Sequence, residues 1–389
     1  MKNSCIINQI ALGNHFMNPF SYGSVVKEPY FFDRKEEVER IINTLTGGNN
    51  IVLYAPRRYG KTSLVMKAIK DLEKIGYICI YFDFMAVYSR ESFIEAFSKA
   101  LLKKQSNVQK ALRIFAKFAK GVKASVSFDN NGIPEFSISY SEPVVSDYTI
   151  DSVIDLPEIM AKQDKRYIIV MDEFQDIDKF NGESFENLLR SKIQHHRHTN
   201  YIFLGSRTHI LNDMFTNKNR PFYNSASVMC IKKLPNDETK IFLKKSFLNA
   251  GIAIDTATTN YLIEQSGAIP YYIQFLASEV WQYTVGSTKT ASSDVVDFCT
   301  DKILEIKSDY YLELFDRQTA YQKKLLRSLT QDGNSIFSSD YRRRFRLSVP
   351  STTQKAVAGL ISAGIIEKIQ NTHVYSDPFF KRFVLRLTA

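Results

Sequence analysis

No stretch of this 389-residue sequence approaches the roughly 20 consecutive apolar residues that span a bilayer, which argues against a helical membrane protein. Cysteine is scarce: Cys5, Cys79, Cys230 and Cys299 lie far apart and form no CxxC pair. So few thiols cannot cross-link a chain this long, so a disulfide scaffold is excluded and reduced thiols in a cytoplasm are expected. The first residues hold one lysine and an interrupted apolar stretch (Ile6, Ile7, Ile10) without a cleavage pattern, so no secretory signal is expected. Internal repeats and low-complexity tracts are missing. Histidine is rare as well, and His195, His196 and His198 stand at a spacing that does not set three ligands on one side. No Ser-His-Asp or Cys-His set stands out, and Trp281 lies on an apolar helical stretch that reads as core.

Acidic residues are the scarcer charge, leaving a formal net charge of +10. From Gln318 to the end, 12 Lys and Arg face four acids, a net +8, while the first 317 residues carry +2. The C-terminal piece is therefore a candidate polyanion-binding module. Four zones follow from the patterning: a lead-in over 1–30, an α/β core over 31–233, a helical lid over 234–317 and a winged-helix pattern over 318–389. In the core, apolar β-type runs such as Ile51–Tyr54, Tyr77–Phe82, Tyr167–Met171 and Tyr201–Leu204 alternate with amphipathic helices, the pattern of a parallel sheet. Within it, two stretches of period-two alternation flank Asn130-Asn131-Gly132 and predict a β-hairpin insertion at about 122–142.

The sharpest signal is a strand, a loop and a helix. Ile51-Val-Leu-Tyr54 runs into Ala55-Pro56-Arg57-Arg58-Tyr59-Gly60 and then Lys61-Thr62-Ser63. In a P-loop the backbone N–H groups of such a loop and helix start cradle phosphates. Gly60 allows close approach of the backbone, Lys61 reaches the β- and γ-phosphates, and the Thr62 hydroxyl is placed for Mg²⁺. Ala55 departs from the glycine usual at the head of this pattern. The apolar run Tyr167–Met171 ends in Asp172-Glu173, delivering carboxylates to the carboxyl edge of the sheet. Asp172 is the candidate Mg²⁺ ligand and Glu173 the candidate to polarise the attacking water. Ser206, after Tyr201–Leu204, is the candidate to sense the γ-phosphate or the attacking water, with Arg207 as a candidate counter-charge.

Together these residues resemble the archaeal-type ATPases, a STAND-like P-loop clade near the AAA+ group, from about Asn18 onward. Phe31-Phe32-Asp33-Arg34 is similar to that family's FxGR box near the adenine, with Asp33 in place of Gly. Pro56 through Ser63 resembles its PRRxGKTS loop, Asp172-Glu173-Phe174-Gln175 its DEFQ strand end, and Gly205-Ser206 its sensor strand. Ser266-Gly267-Ala268-Ile269-Pro270 is similar to the GGxP turn whose proline approaches the nucleotide base, and Asp377-Pro378-Phe379-Phe380 to the closing DPxF segment. The resemblance implies Arg34, Pro56, Arg57, Arg58, Tyr59, Ser63 and Pro270 as nucleotide-binding residues, with ATP and Mg²⁺ as cofactors. Where the family has the arginine of PLYGR this chain has Ser225, leaving Arg207 and Arg220 as nearby substitutes.

The last zone follows winged-helix logic by itself. Ser338 or Ser339 suits the cap of a helix bearing Tyr341–Arg346, and Pro350 the first turn of a third helix. The early residues of that third helix, Ser351 to Lys355, are expected to be exposed, as a groove-reading helix requires. The expected function is ATP hydrolysis that drives or switches a regulatory activity, with duplex DNA as a partner of 318–389. The other reading is a non-hydrolysing nucleotide switch whose winged helix binds protein.

Overall fold

The computed structural model describes residues 17–26, 30–32, 34–141, 146–161, 166–180, 183–287, 289–369 and 371–387. The chain divides into two compact units, one of Arg34–Arg57 and Lys61–Lys232, the other holding Arg58–Gly60 and Lys233 onward.

The first unit contains β1 (Ile51–Tyr54), β2 (Ile78–Asp83), β3 (Val122–Phe128), β4 (Pro134–Tyr140), β5 (Tyr167–Asp172), β6 (Thr199–Gly205) and β7 (Ser227–Cys230). Five of these form one parallel sheet in the order β2-β5-β6-β1-β7. Every residue of β5 and β6 is buried, as expected of central strands in a parallel sheet. Register brings Tyr54 opposite Gly205 and Asp83 opposite Asp172, so the carboxyl ends align along one edge. Below that edge Phe174, Phe203, Phe215 and Phe222 form a fully packed aromatic cluster. Truncating any of these buried rings costs about 3–5 kcal/mol. The expected hairpin is present: β3 and β4 pair antiparallel from Val122↔Tyr140 to Phe128↔Pro134. Its turn is closed by Asp129, whose carboxylate accepts from the N–H groups of Asn131 and Ile133, with Gly132 at φ 75°. Helices Val108–Phe118, Asp147–Ile154 and Glu183–Ile193 add to the alternation that the patterning predicts.

The second unit is largely helical. Its helices Asn236–Asn249, Thr256–Gln265, Pro270–Val285 and Ser293–Ile306 are accompanied by the short parallel pair β8 (Ala253–Ile254) and β9 (Thr290–Ala291). Helices Ala320–Gln331, Ser339–Arg344 and Pro350–Ser362 precede the wing, β10 (Ile366–Ile369) and β11 (Thr372–Tyr375), and helix Pro378–Arg386 closes the chain. Ser338 is the cap, accepting from the Tyr341 N–H at 3.2 Å, and Pro350 sits in the first turn as expected. One expectation is corrected: Thr353 is fully buried, because its hydroxyl bonds the Tyr321 hydroxyl at 2.7 Å, while Ser351, Thr352, Gln354 and Lys355 are exposed. Arg342 is half-buried and bridges the carbonyls of Phe337 and Ser348, which leaves Arg343, Arg344 and Arg346 as the exposed arginines of Tyr341–Arg346.

Candidate active site

Helix Lys61–Lys74 starts directly after the loop, so its first N–H groups lack intrahelical acceptors and point back along the axis. Lys61 is buried, and its ammonium donates to the carbonyls of Ala55 at 2.7 Å and Pro56 at 3.1 Å. Gly60 sits at φ 81°, and a Cβ there would meet no protein atom within 4 Å. Its glycine is therefore demanded by left-handed backbone rather than by crowding within the protein.

The Thr62 hydroxyl lies 3.5 Å from Asp172 Oδ2, and the Tyr81 hydroxyl donates to the same oxygen. Asp172 Oδ1 accepts from the Glu173 N–H at 2.8 Å. That bond accompanies a sharp turn, since Glu173 lies at φ 47°, a left-handed conformation that costs a non-glycine residue. The turn carries the Glu173 carboxylate to Ser206, whose hydroxyl donates to Oε2 at 2.8 Å and whose N–H reaches it at 3.1 Å. The Gln175 amide donates to that oxygen too. Burial pushes Glu173 up, yet the bonds from Gln175 and Ser206 and the Lys61 charge outweigh it, holding the carboxyl below its usual range. The ionised form, the one able to take a proton from water, is thus favoured.

Two residues here escaped the sequence reading. Asp83 ends β2 beside Asp172; burial, then the charges of Asp172, Glu173 and Asp176, push it up against the N–H bond from Met85. Tyr81 is pushed up by burial and then by Asp172, which keeps the phenol protonated as a donor. A polar residue at the end of the run Ile78–Phe82 was the available signal, but the pairing of β2 with β5 is non-local. Oxygen donors from Thr62 and Asp172, with Asp83 adjacent, are the ligand chemistry a hard cation such as Mg²⁺ takes. Among the described residues no three His, Cys, Asp or Glu side chains form a metal cluster, and a P-loop cation relies on the hydroxyl, the phosphates and water.

The other anticipated residues are spread out. Arg34 is buried and clamps the start of helix Lys35–Thr46, bonding Glu37 at 3.0 Å and the Lys232 carbonyl at 2.8 Å. Asp33 lies outside the described residues. Pro56, Arg57 and Ser63 are partly or fully exposed around the loop. Arg207 is exposed, whereas Arg220 pairs with the buried Glu186 at 2.6 Å. Ser225 bonds the Phe222 carbonyl. In the helical unit, Arg58 at φ 72° donates to Asp377 at 3.4 Å, with its guanidinium about 5.0 Å over the Tyr272 ring; Tyr59 is buried. Pro270 opens its helix after Gly267 and Ala268, both left-handed at φ 65° and 57°. His196 bonds Tyr201 and Asp155, and His198 bonds Glu158, so these rings serve different partners.

The family described as an ATPase domain predominantly from Archaea matches residues 31–276, and a winged-helix domain family matches 309–386. An uncharacterized ATP-binding protein of Methanocaldococcus jannaschii is 25% identical over 234 residues, covering 56% of this chain and 64% of that protein. A second, uncharacterized protein of the same organism is 23% identical over 312 residues, covering 76% and 53%. The chain thus spans less than two thirds of either relative. Among solved structures, the Walker-type ATPase of Pyrococcus abyssi superposes at a TM-score of 0.64 with 19% identity, covering 94% of this chain and 99% of that one. The Aeropyrum pernix ORC2 protein follows at 0.53 and 13%, covering 95% and 98%, and its ORC1 protein in complex with DNA at 0.50 and 11%, covering 93% and 95%. At these identities the likeness establishes a shared fold.

Proposed function

Because the chain belongs to the family of ATPase domains found predominantly in Archaea, we propose that it hydrolyses ATP to ADP and phosphate and uses the cycle to drive or switch a regulatory activity on DNA. The observation that carries hydrolysis is the Glu173 carboxylate, held ionised by Ser206 and Gln175 one residue from the Asp172–Thr62 pair.

The loop N–H groups and Lys61 hold the β- and γ-phosphates. Thr62 and Asp172 would hold magnesium, which when bound would neutralise charge on those phosphates. Glu173 orients a water in line with the γ-phosphorus. The water oxygen bonds to that phosphorus, the bond from phosphorus to the β–γ bridging oxygen breaks, and a water proton passes to Glu173. Ser206 positions the carboxylate for that transfer. The DNA element rests on the exposed Arg343, Arg344, Lys355 and Lys368 of the winged-helix unit, and the fold shared with ORC1, whose structure holds DNA, supports it. Among the described residues no helix is long and apolar enough to cross a membrane.

Phosphate release from the purified protein tests the reading. Lys61→Ala abolishes release together with high-affinity ATP binding, and Glu173→Gln retains binding while slowing turnover at least ~100-fold. Wild-type protein that binds ATP but releases no phosphate is instead a nucleotide switch.

A further inference from the structure

The near-neutral balance of the first 317 residues conceals a second basic surface. Between Ala96 and Phe128 there are eight Lys and Arg and not one Asp or Glu. Lys99 pairs with Glu95 and Lys104 with Glu73, both at 2.6 Å. Five of the eight concentrate on helix Val108–Phe118 and the link into β3. Lys110, Arg113 and Lys117 stand at i, i+3 and i+7, which places them on one helix face, and Lys120 and Lys123 continue the series. All five are exposed. Like charges three and four residues apart destabilise a helix, so the stripe works against the local structure that carries it.

We propose that this stripe is a second duplex-DNA contact, on the ATPase unit itself and separate in sequence from the winged helix, made through the phosphate backbone. The choice of DNA as the polyanion rests on the proposed DNA reading of the winged helix. The case for a phosphate backbone is made by the surface. Seven helical residues at 1.5 Å each span about 10 Å, over which a duplex presents about six charges. The opposite side of the helix is already used: Ala111 and Phe115 are buried in the core with Val122 and Phe136 of the hairpin. Of the large apolar side chains of the helix only Phe118 is exposed, beneath the Lys117 ammonium at 5.3 Å, which is less than the apolar face a membrane-surface helix needs. The outward face of β3 and β4 bears Lys123, Ser125, Ser127, Ser137 and Ser139, with one carboxylate, Glu135, toward the turn, in register as Lys123↔Ser139, Ser125↔Ser137 and Ser127↔Glu135. Hydroxyls and cations are phosphate-contacting groups, and the aromatic anchors that dominate protein interfaces are missing from this face. The exposed apolar residues of the hairpin, Phe128 and Ile133, lie at its turn, the far end of the ladder from Lys123.

The full-length protein, titrated with a labelled duplex at several salt concentrations, tests the assignment. Lys110→Gln, Arg113→Gln and Lys117→Gln are combined in one variant, glutamine being a good helix former. Arg343→Gln and Arg344→Gln form another. The first variant is expected to flatten the slope of log affinity against log salt by about 2–3, at about 0.9 per lost phosphate contact, equally on unrelated sequences. An unchanged slope in that variant, with a loss in the winged-helix variant, overturns this inference and leaves the winged-helix reading standing. A loss confined to the helix variant upholds the inference and overturns the winged-helix contact. No binding by wild type at low salt overturns both. Wild-type affinity for polyglutamate or phosphatidylserine vesicles that the helix variant loses, with DNA binding unaltered, also overturns it.

Discussion

The Ser206 hydroxyl and the Ser206 N–H both donate to Glu173 Oε2, at 2.8 and 3.1 Å, so the end of β6 holds the carboxylate that follows β5. Removing the hydroxyl leaves the N–H and Gln175 in place. Ser206→Ala is therefore expected to keep ATP affinity while lowering kcat by about 10- to 100-fold, less than the roughly 100- to 10,000-fold that loss of the base itself brings. The bond lowers the Glu173 pKa, so its loss shifts the acid limb of the kcat profile to higher pH. A profile displaced downward or unmoved would show that Ser206 does not tune the base.

Tyr81 donates to the Asp172 oxygen nearest Thr62. Partners behind a ligand typically tune metal affinity by 10- to 100-fold. Tyr81→Phe is expected to raise the magnesium concentration for half-maximal turnover by about tenfold, with metal-free nucleotide binding unchanged. Titrating Mg²⁺ against phosphate release reads this directly.

Gly205 is constrained by space. A Cβ there would lie 2.1 Å from Gln175 Oε1 and 2.9 Å from Leu211 Cδ2. Gly205→Ala must push Gln175 away from Glu173, and overpacking costs about 1–3 kcal/mol. The expected result is an unfolding midpoint lower than that of Gln175→Ala, with turnover reduced by about tenfold.

Asp155 and Glu158 set an acid limit on folding. Burial pushes both up, but His196 and Lys192 at Asp155, and the Arg197 and His198 N–H groups with the His198 ring at Glu158, hold both below the usual range. The unfolded chain therefore takes up protons first as pH falls. Their contribution is full above the unfolded carboxylate values of about 4 and disappears as the pH drops through the lowered folded values. Denaturant melts from pH 7 to 3 should show that decline, and Asp155→Asn with Glu158→Gln should flatten it.

What could be read from sequence was what depends on neighbouring residues. Loop, lysine and helix start are contiguous from Ala55 to Thr62, and Asp172-Glu173 ends an unbroken apolar strand. The hairpin announced itself through Asn130-Asn131-Gly132. Asp83 and Tyr81 join the site only because β2 pairs with β5, a partner remote in sequence, and Thr353 is hidden by a tyrosine on another helix. Helix Val108–Phe118 is legible in the same way, since Val108, Ala111, Leu112 and Phe115 stand at i, i+3, i+4 and i+7 with Lys110, Arg113 and Lys117 on the other side.

The sheet order has a temporal meaning. β1, whose carboxyl end launches the loop, bonds to β6 and β7 and to neither of the strands that follow it in the chain. At ~5–20 residues per second a ribosome needs roughly ten to thirty-five seconds between finishing β1 and finishing β7. Until β6 has been made, Ile51-Val52-Leu53 is a short apolar strand with both edges unsatisfied, and one edge stays open until β7 follows. The nucleotide loop is thus among the earliest parts of the unit to be synthesised and among the last to acquire its scaffold. Nascent chains released before Thr199 cannot build it, and they carry an exposed edge of the kind that pairs with other chains.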